Sequence, residues 1–83
     1  MEGVRFDAVA RLAWAGLDDR GIAEASGIPS DEVRLCRLVL KAALVLARRG
    51  MSAGEVAIET GLSPESVDVA FAGSPSLTRR LRS

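Results

Sequence analysis

The sequence has no histidine and no tyrosine, and it has a single cysteine among its 83 residues. One cysteine cannot form an internal disulfide, which excludes the disulfide-stapled secreted mini-proteins. The lack of histidine removes the usual ligands of zinc sites and the base of Ser-His or Cys-His nucleophile systems. We therefore expect no metal site, no cofactor and no enzymatic activity, and we expect Cys36 to be a buried thiol.

Long hydrophobic runs are also missing. The most apolar stretch, residues 35–47, is interrupted by Arg37 and Lys41 and is too short to cross a bilayer. The N-terminus has no basic segment ahead of an apolar one, so no signal peptide is expected. These absences predict a cytoplasmic protein without membrane contact. With 48% apolar but only 4% aromatic residues, a single domain over residues 1–83 should form an aliphatic core, joined by Phe6 and Phe71.

The second half of the chain repeats the first at an offset of 34 residues without gaps. Matching glycines carry most weight, because each marks a backbone position where a side chain is unwelcome. The match predicts a first unit over residues 1–38 and a second over residues 39–83. The aligned pairs include Gly16 with Gly50, Ala23 with Ala57, Gly27 with Gly61 and Val33 with Val67.

Apolar periodicity and helix punctuation predict an all-α fold of about six helices. The third helix should be long, because no helix breaker occurs over residues 31–49. Ser52 and Glu55 have the spacing of a capping box for the fourth helix. A last helix is predicted to open at Ser74 and to carry arginines in its final turns.

Each copy contains a short helix, a glycine turn and a second helix, over residues 22–33 and 56–67. Both segments have alanine, then glycine four residues later, then an apolar residue, and valine five residues after that. This pattern resembles the bacterial and phage helix-turn-helix family. Two copies in register are similar to the tandem modules of AraC-type regulators and to the fourth region of sigma factors. The resemblance implies two tandem helix-turn-helix units sharing the long central helix, with the second helix of each unit entering the major groove of duplex DNA.

The formal net charge of zero, from 11 basic and 11 acidic residues, is distributed unevenly. Residues 33–49 contain five bases and no acid, residues 50–76 contain four acids and no base, and residues 77–83 contain three arginines and no acid. The net charge of zero therefore sums segments of opposite charge, and it does not exclude a nucleic-acid partner.

Four bases of the central helix fall within about 60° of one another along about 20 Å of helix. We call them the basic stripe: Arg34, Arg37, Lys41 and Arg48. The remaining faces are apolar, which predicts a buried helix with one exposed charged strip. The stripe is expected to contact DNA phosphates, with Ser30, Asp31 and Arg34 near base edges. The alternative is a solvated face whose bases stabilise the helix end.

The second unit offers Ser63 and Ser66 to DNA, but Glu65 and Asp68 would meet phosphates with like charge. It could therefore touch DNA or dock on a protein. The final arginines, Arg79, Arg80 and Arg82, could clamp the DNA backbone or complement their own helix end. Trp14 is expected to be a core or partner-helix contact, because no other aromatic residue accompanies it for base stacking.

The expected function is a small sequence-specific DNA-binding transcription regulator, of a size typical of phage or mobile elements. A monomer this small reads few base pairs, so homodimerisation or cooperative binding is expected, and the apolar sides of the first and third helices could supply an interface. The alternative is an interaction module of helix-turn-helix shape that docks on a polymerase, a repressor or another DNA-bound complex.

Overall fold

The computed structural model describes residues 3–72, which form five α-helices and no strand. The all-α prediction is confirmed. The helix predicted to open at Ser74 lies outside the described residues. The helices are α1 (Gly3–Trp14), α2 (Asp19–Ser26), α3 (Ser30–Arg48), α4 (Ala53–Thr60) and α5 (Pro64–Phe71).

Helix α3 is the centre of the fold and packs against each of the other four helices. It buries Val33, Cys36, Leu40, Ala43 and Ala47 along one face. Helix α1 closes the structure by packing on α5 as well as on α3. Phe6 and Phe71 are buried, as predicted. Apolar residues of both units join them in the core, including Ile22, Ile28, Val56, Leu62, Val67 and Ala70.

The local hydrogen bonds of the first unit recur 34 residues later. Gly27 and Gly61 both adopt a φ of 75°, which favours glycine, and they reverse the chain after α2 and α4. Ser26 Oγ donates to the Ile22 carbonyl and accepts from the Ile28 amide, at 2.6 and 3.2 Å. The Thr60 hydroxyl makes the equivalent pair of bonds to Val56 and Leu62, at 2.7 and 3.4 Å.

Side-chain caps start three of the helices. Asp18 Oδ1 accepts from the Gly21 amide at 2.8 Å at the start of α2. Ser52 and Glu55 form the predicted capping box of α4, with reciprocal bonds of 3.1 and 3.2 Å. Ser63 caps α5, and Pro64 occupies its first position, where proline's missing N–H costs nothing.

The prediction that α3 is buried on all but its charged side is wrong. Leu35, Leu38 and Val45 are 54%, 61% and 38% exposed. The neighbouring helices cover only the opposite side of α3, which leaves an exposed apolar row beside the basic stripe. We call this row, with the exposed Ala42 between its two halves, the apolar seam: Leu35, Leu38, Ala42 and Val45.

Candidate nucleic-acid interface

The basic stripe lies on the accessible side of α3. Arg34, Lys41 and Arg48 are exposed, whereas Arg37 is partly covered. Arg37 forms an ion pair with Asp19 at the start of α2, with 2.7 Å between Nη1 and Oδ1. This pair ties α2 to α3 across the angle between them. The stripe therefore contains three exposed bases and one that is engaged within the fold.

An open groove of about 750 Å³ separates the start of α2 from the basic stripe. Four cationic and two anionic side chains line it, together with apolar side chains of α1 and α3. Its lining on α3 extends from Arg34 to Leu44, and the groove is open to solvent, which suits a chain-like anion better than an enclosed small molecule. Its charged lining comprises Asp18, Asp19, Arg20, Arg34, Arg37 and Lys41.

Both acids of the groove already have partners. Asp18 caps α2 through the Gly21 amide, and Asp19 pairs with Arg37. Arg20 pairs with Glu24 on the same helix at 3.2 Å, but both side chains are highly exposed, so water screens this pair. Arg34 and Lys41 have no ion-pair partner among residues 3–72, and these two cations are available to an anionic ligand.

Ser30 and Asp31 are exposed in the first turn of α3, next to Arg34. The acids there, Asp31 and Glu32, complement the positive end of the helix dipole. Glu32 is also in ion-pair contact with Arg5 of α1. The structure therefore brings Ser30, Asp31 and Arg34 to one end of the stripe, as the sequence predicts.

The second unit presents a different surface. Ser63 is engaged as the cap of α5, and Ser66 is only 1% exposed. A buried side chain cannot contact DNA, so the assignment of Ser66 to a DNA-contacting surface is corrected to a structural role. Glu65 and Asp68 are exposed, and residues 50–72 contain no base. The arginines at positions 79, 80 and 82 lie outside the described residues.

Two further residues have structural partners. The indole N–H of Trp14 donates to the Ala70 carbonyl at 2.9 Å, which joins α1 to α5, and the residue remains 39% exposed. Burial, followed by the nearby Glu32 carboxylate, raises the pKa of the Cys36 thiol. A buried neutral thiol is a poor nucleophile, which agrees with the core position predicted for Cys36.

Sequence reasoning missed two features of this surface. Arg20 belongs to the groove, although only the crossing of α2 and α3 brings it there. The apolar pattern of α3 predicts that the seam residues are buried, but they are exposed. The sequence contains a sign of this second arc. The seam residues recur at intervals of three, four and three, which places them on an arc of α3 separate from the buried one.

Within residues 3–72, no three side chains of the metal-ligating types cluster. None of the helices in this part of the chain is both long and apolar enough to cross a membrane. Comparison with protein-family models, with curated proteins and with solved structures gives no match.

Proposed function

We propose that the protein is a small transcription regulator that binds duplex DNA through its first unit together with the rest of the basic stripe on α3, and that it acts by occupancy, without catalysis. The observation that carries this proposal is the basic stripe beside the groove, where Arg34 and Lys41 are exposed and have no ion-pair partner among residues 3–72. The start of α3, with Ser30, Asp31 and Arg34, is the part placed at base edges. The resemblance to helix-turn-helix proteins supports the same orientation.

Phosphate contact explains why bases concentrate on this side. A protein that neutralises phosphates releases counterions, so log affinity falls linearly with log salt, by about 0.9 for each contact. Arg34 can also donate to two acceptors of a guanine edge at once. We assign Lys41 and Arg48 to contacts with the phosphate backbone of DNA, and Arg34 to contacts with the backbone or with base edges.

The direct test is fluorescence anisotropy of a labelled random duplex at several salt concentrations. The proposal predicts binding that weakens steeply with salt, and a slope shallower by about 1 for Arg34→Ala or Lys41→Ala. Arg11→Ala is the matched control, because Arg11 is an exposed base in the last turn of α1 and does not line the groove. Absence of binding at low salt would overturn the proposal, as would equal effects of all three substitutions.

The same assay locates the second unit. Glu65→Gln with Asp68→Asn removes two exposed carboxylates without reversing charge. If α5 faces the DNA backbone, this variant binds more tightly at low salt, because like-charge repulsion is relieved. If α5 faces away, its affinity stays at the wild-type value.

A second candidate function is docking on another protein. Two observations favour it: residues 50–72 contain four acids and no base, and Ile58 on α4 is 81% exposed. The test is a pull-down from nuclease-treated lysate. A partner that is lost with Glu65→Lys and Asp68→Lys, and retained with Arg34→Ala, supports this candidate. Identical captures by all variants would contradict it.

A further inference from the structure

We propose that the apolar seam of α3 binds the same seam of a second copy of this chain, with the two α3 helices antiparallel. The seam consists of exposed side chains at intervals of three, four and three residues, which is the repeat by which helices pair through a narrow apolar stripe. Such a row is costly to leave in water, and no helix among residues 3–72 covers it.

The charges at the two ends of the seam indicate that its partner is a second copy in antiparallel orientation. Asp31 lies four residues before Leu35, and Arg49 lies four residues after Val45; both are exposed. Neither has an ion-pair partner among the described residues. In an antiparallel pair centred between Leu38 and Ala42, Asp31 of each copy meets Arg49 of the other. A parallel pair would place Asp31 on Asp31 and Arg49 on Arg49, which repels at both ends.

The apolar residues match in the same register. Leu35 of one copy faces Val45 of the other, and Leu38 faces Ala42, so each layer pairs a larger side chain with a smaller one. This surface is self-complementary about a twofold axis, as a symmetric dimer requires. The half-buried Val39 and Leu46 extend the apolar contact along one flank. The seam runs about 27 Å from Asp31 to Arg49, a small interface that suits weak self-association.

The seam overlaps the end of α3 that is proposed to read DNA. Leu35 and Leu38 are exposed next to Asp31 and Arg34, so a second copy seated there covers that end. Self-association and entry of the first unit into the major groove of DNA therefore exclude each other. Only this consequence rests on the proposed function, whereas the seam is tested without DNA.

The experiment is sedimentation equilibrium of the full chain without DNA, from about 10 µM to 1 mM. A monomer–dimer equilibrium is expected for the wild type. Leu38→Glu should weaken it at least about tenfold, because a charge enters the centre of the apolar contact. Ala25→Glu is the matched control, because Ala25 is exposed on α2 and is not part of the seam, and it should change the dimer affinity less than about twofold. Circular dichroism confirms that both variants are folded.

Charge exchange tests the register. Asp31→Arg alone and Arg49→Asp alone each create two like-charge pairs and should weaken the dimer about threefold or more. The double variant restores opposite charges and should return to within about twofold of the wild type. A wild type that stays monomeric over the whole range overturns the proposal. So does a dimer insensitive to Leu38→Glu, or a double variant weaker than either single one.

Discussion

The two units share their capped helix starts and their glycine turns, but they differ in charge on the outer face of the second helix. Helices α2 and α4 each begin after a side-chain cap, and each ends at a glycine with a φ of 75°. Yet the exposed Arg34 of the first unit corresponds, 34 residues on, to the exposed Asp68 of the second. Local hydrogen bonds and small residues define the angle between helices, and they place no constraint on the charge of the outer face.

The comparison extends to the joint between the two helices of each unit. In the first unit Asp19 and Arg37 form an ion pair at the α2–α3 angle. The equivalent positions in the second unit are Ala53 and the fully buried Phe71. A polar joint leaves charged groups beside the groove, whereas an apolar one adds to the core. This difference is consistent with a first unit that meets a ligand and a second unit that supports it.

The largest expected effect comes from the equivalent core positions Ile22 and Val56, both with no exposed surface. Ile22→Ala should lower the free energy of unfolding by about 2–5 kcal/mol. Val56→Ala should cost about 1 kcal/mol less, since one methylene fewer is lost. Urea unfolding, followed by circular dichroism, measures both. Because both units share α3, each variant should unfold in one transition; two transitions would show that the units fold separately.

The turn glycines should respond equally. A Cβ at Gly27 or Gly61 would meet no atom within 4 Å, so the cost of alanine comes only from the left-handed backbone. Each Gly→Ala substitution should destabilise by about 1–2 kcal/mol. Gly54→Ala is the control, because it replaces a glycine inside α4 and should stabilise by about 0.5–1 kcal/mol. Costs differing by more than about 0.5 kcal/mol would contradict the equivalence of the two turns.

Features determined by neighbouring residues could be predicted from the sequence, and those determined by tertiary contacts could not. The Ser52–Glu55 box and the turn at Gly27 depend on residues three or four positions apart. The Asp19–Arg37 pair and the bond from Trp14 to Ala70 depend on how distant helices cross. The apolar residues of α3 occupy more than one arc of its surface, and only the packing of the other helices decides that Leu38 is exposed while Leu40 is buried.

Trp14 breaks the symmetry between the units, since its repeat equivalent is the exposed Arg48. Its indole bond to Ala70 joins α1 of the first unit to α5 of the second. Trp14→Phe removes this donor and should cost about 0.5–1.5 kcal/mol. Chemical unfolding measures the loss. Phe6→Leu, in the α1 core, gives a comparison without a lost hydrogen bond, and an unaltered stability of Trp14→Phe would contradict a role for this bond.

The smallest expected effect distinguishes the two helix starts. Glu55 reaches back to Ser52, whereas the equivalent position in the first unit is Gly21, so only α4 has a reciprocal box. The Ser52 backbone amide, and then its hydroxyl, hold the pKa of Glu55 below its ordinary value of 4.5. A carboxylate whose pKa is lower in the folded state than in the unfolded state stabilises the fold at pH values above the unfolded-state pKa. This stabilisation is lost as the pH falls through the folded-state pKa.

Glu55→Gln should therefore flatten the decline in stability below about pH 4.5, as measured by urea unfolding across that range. Glu59→Gln, which removes an exposed charge from the same helix, is the control, and an equal flattening by both variants would refute the assignment to the capping box.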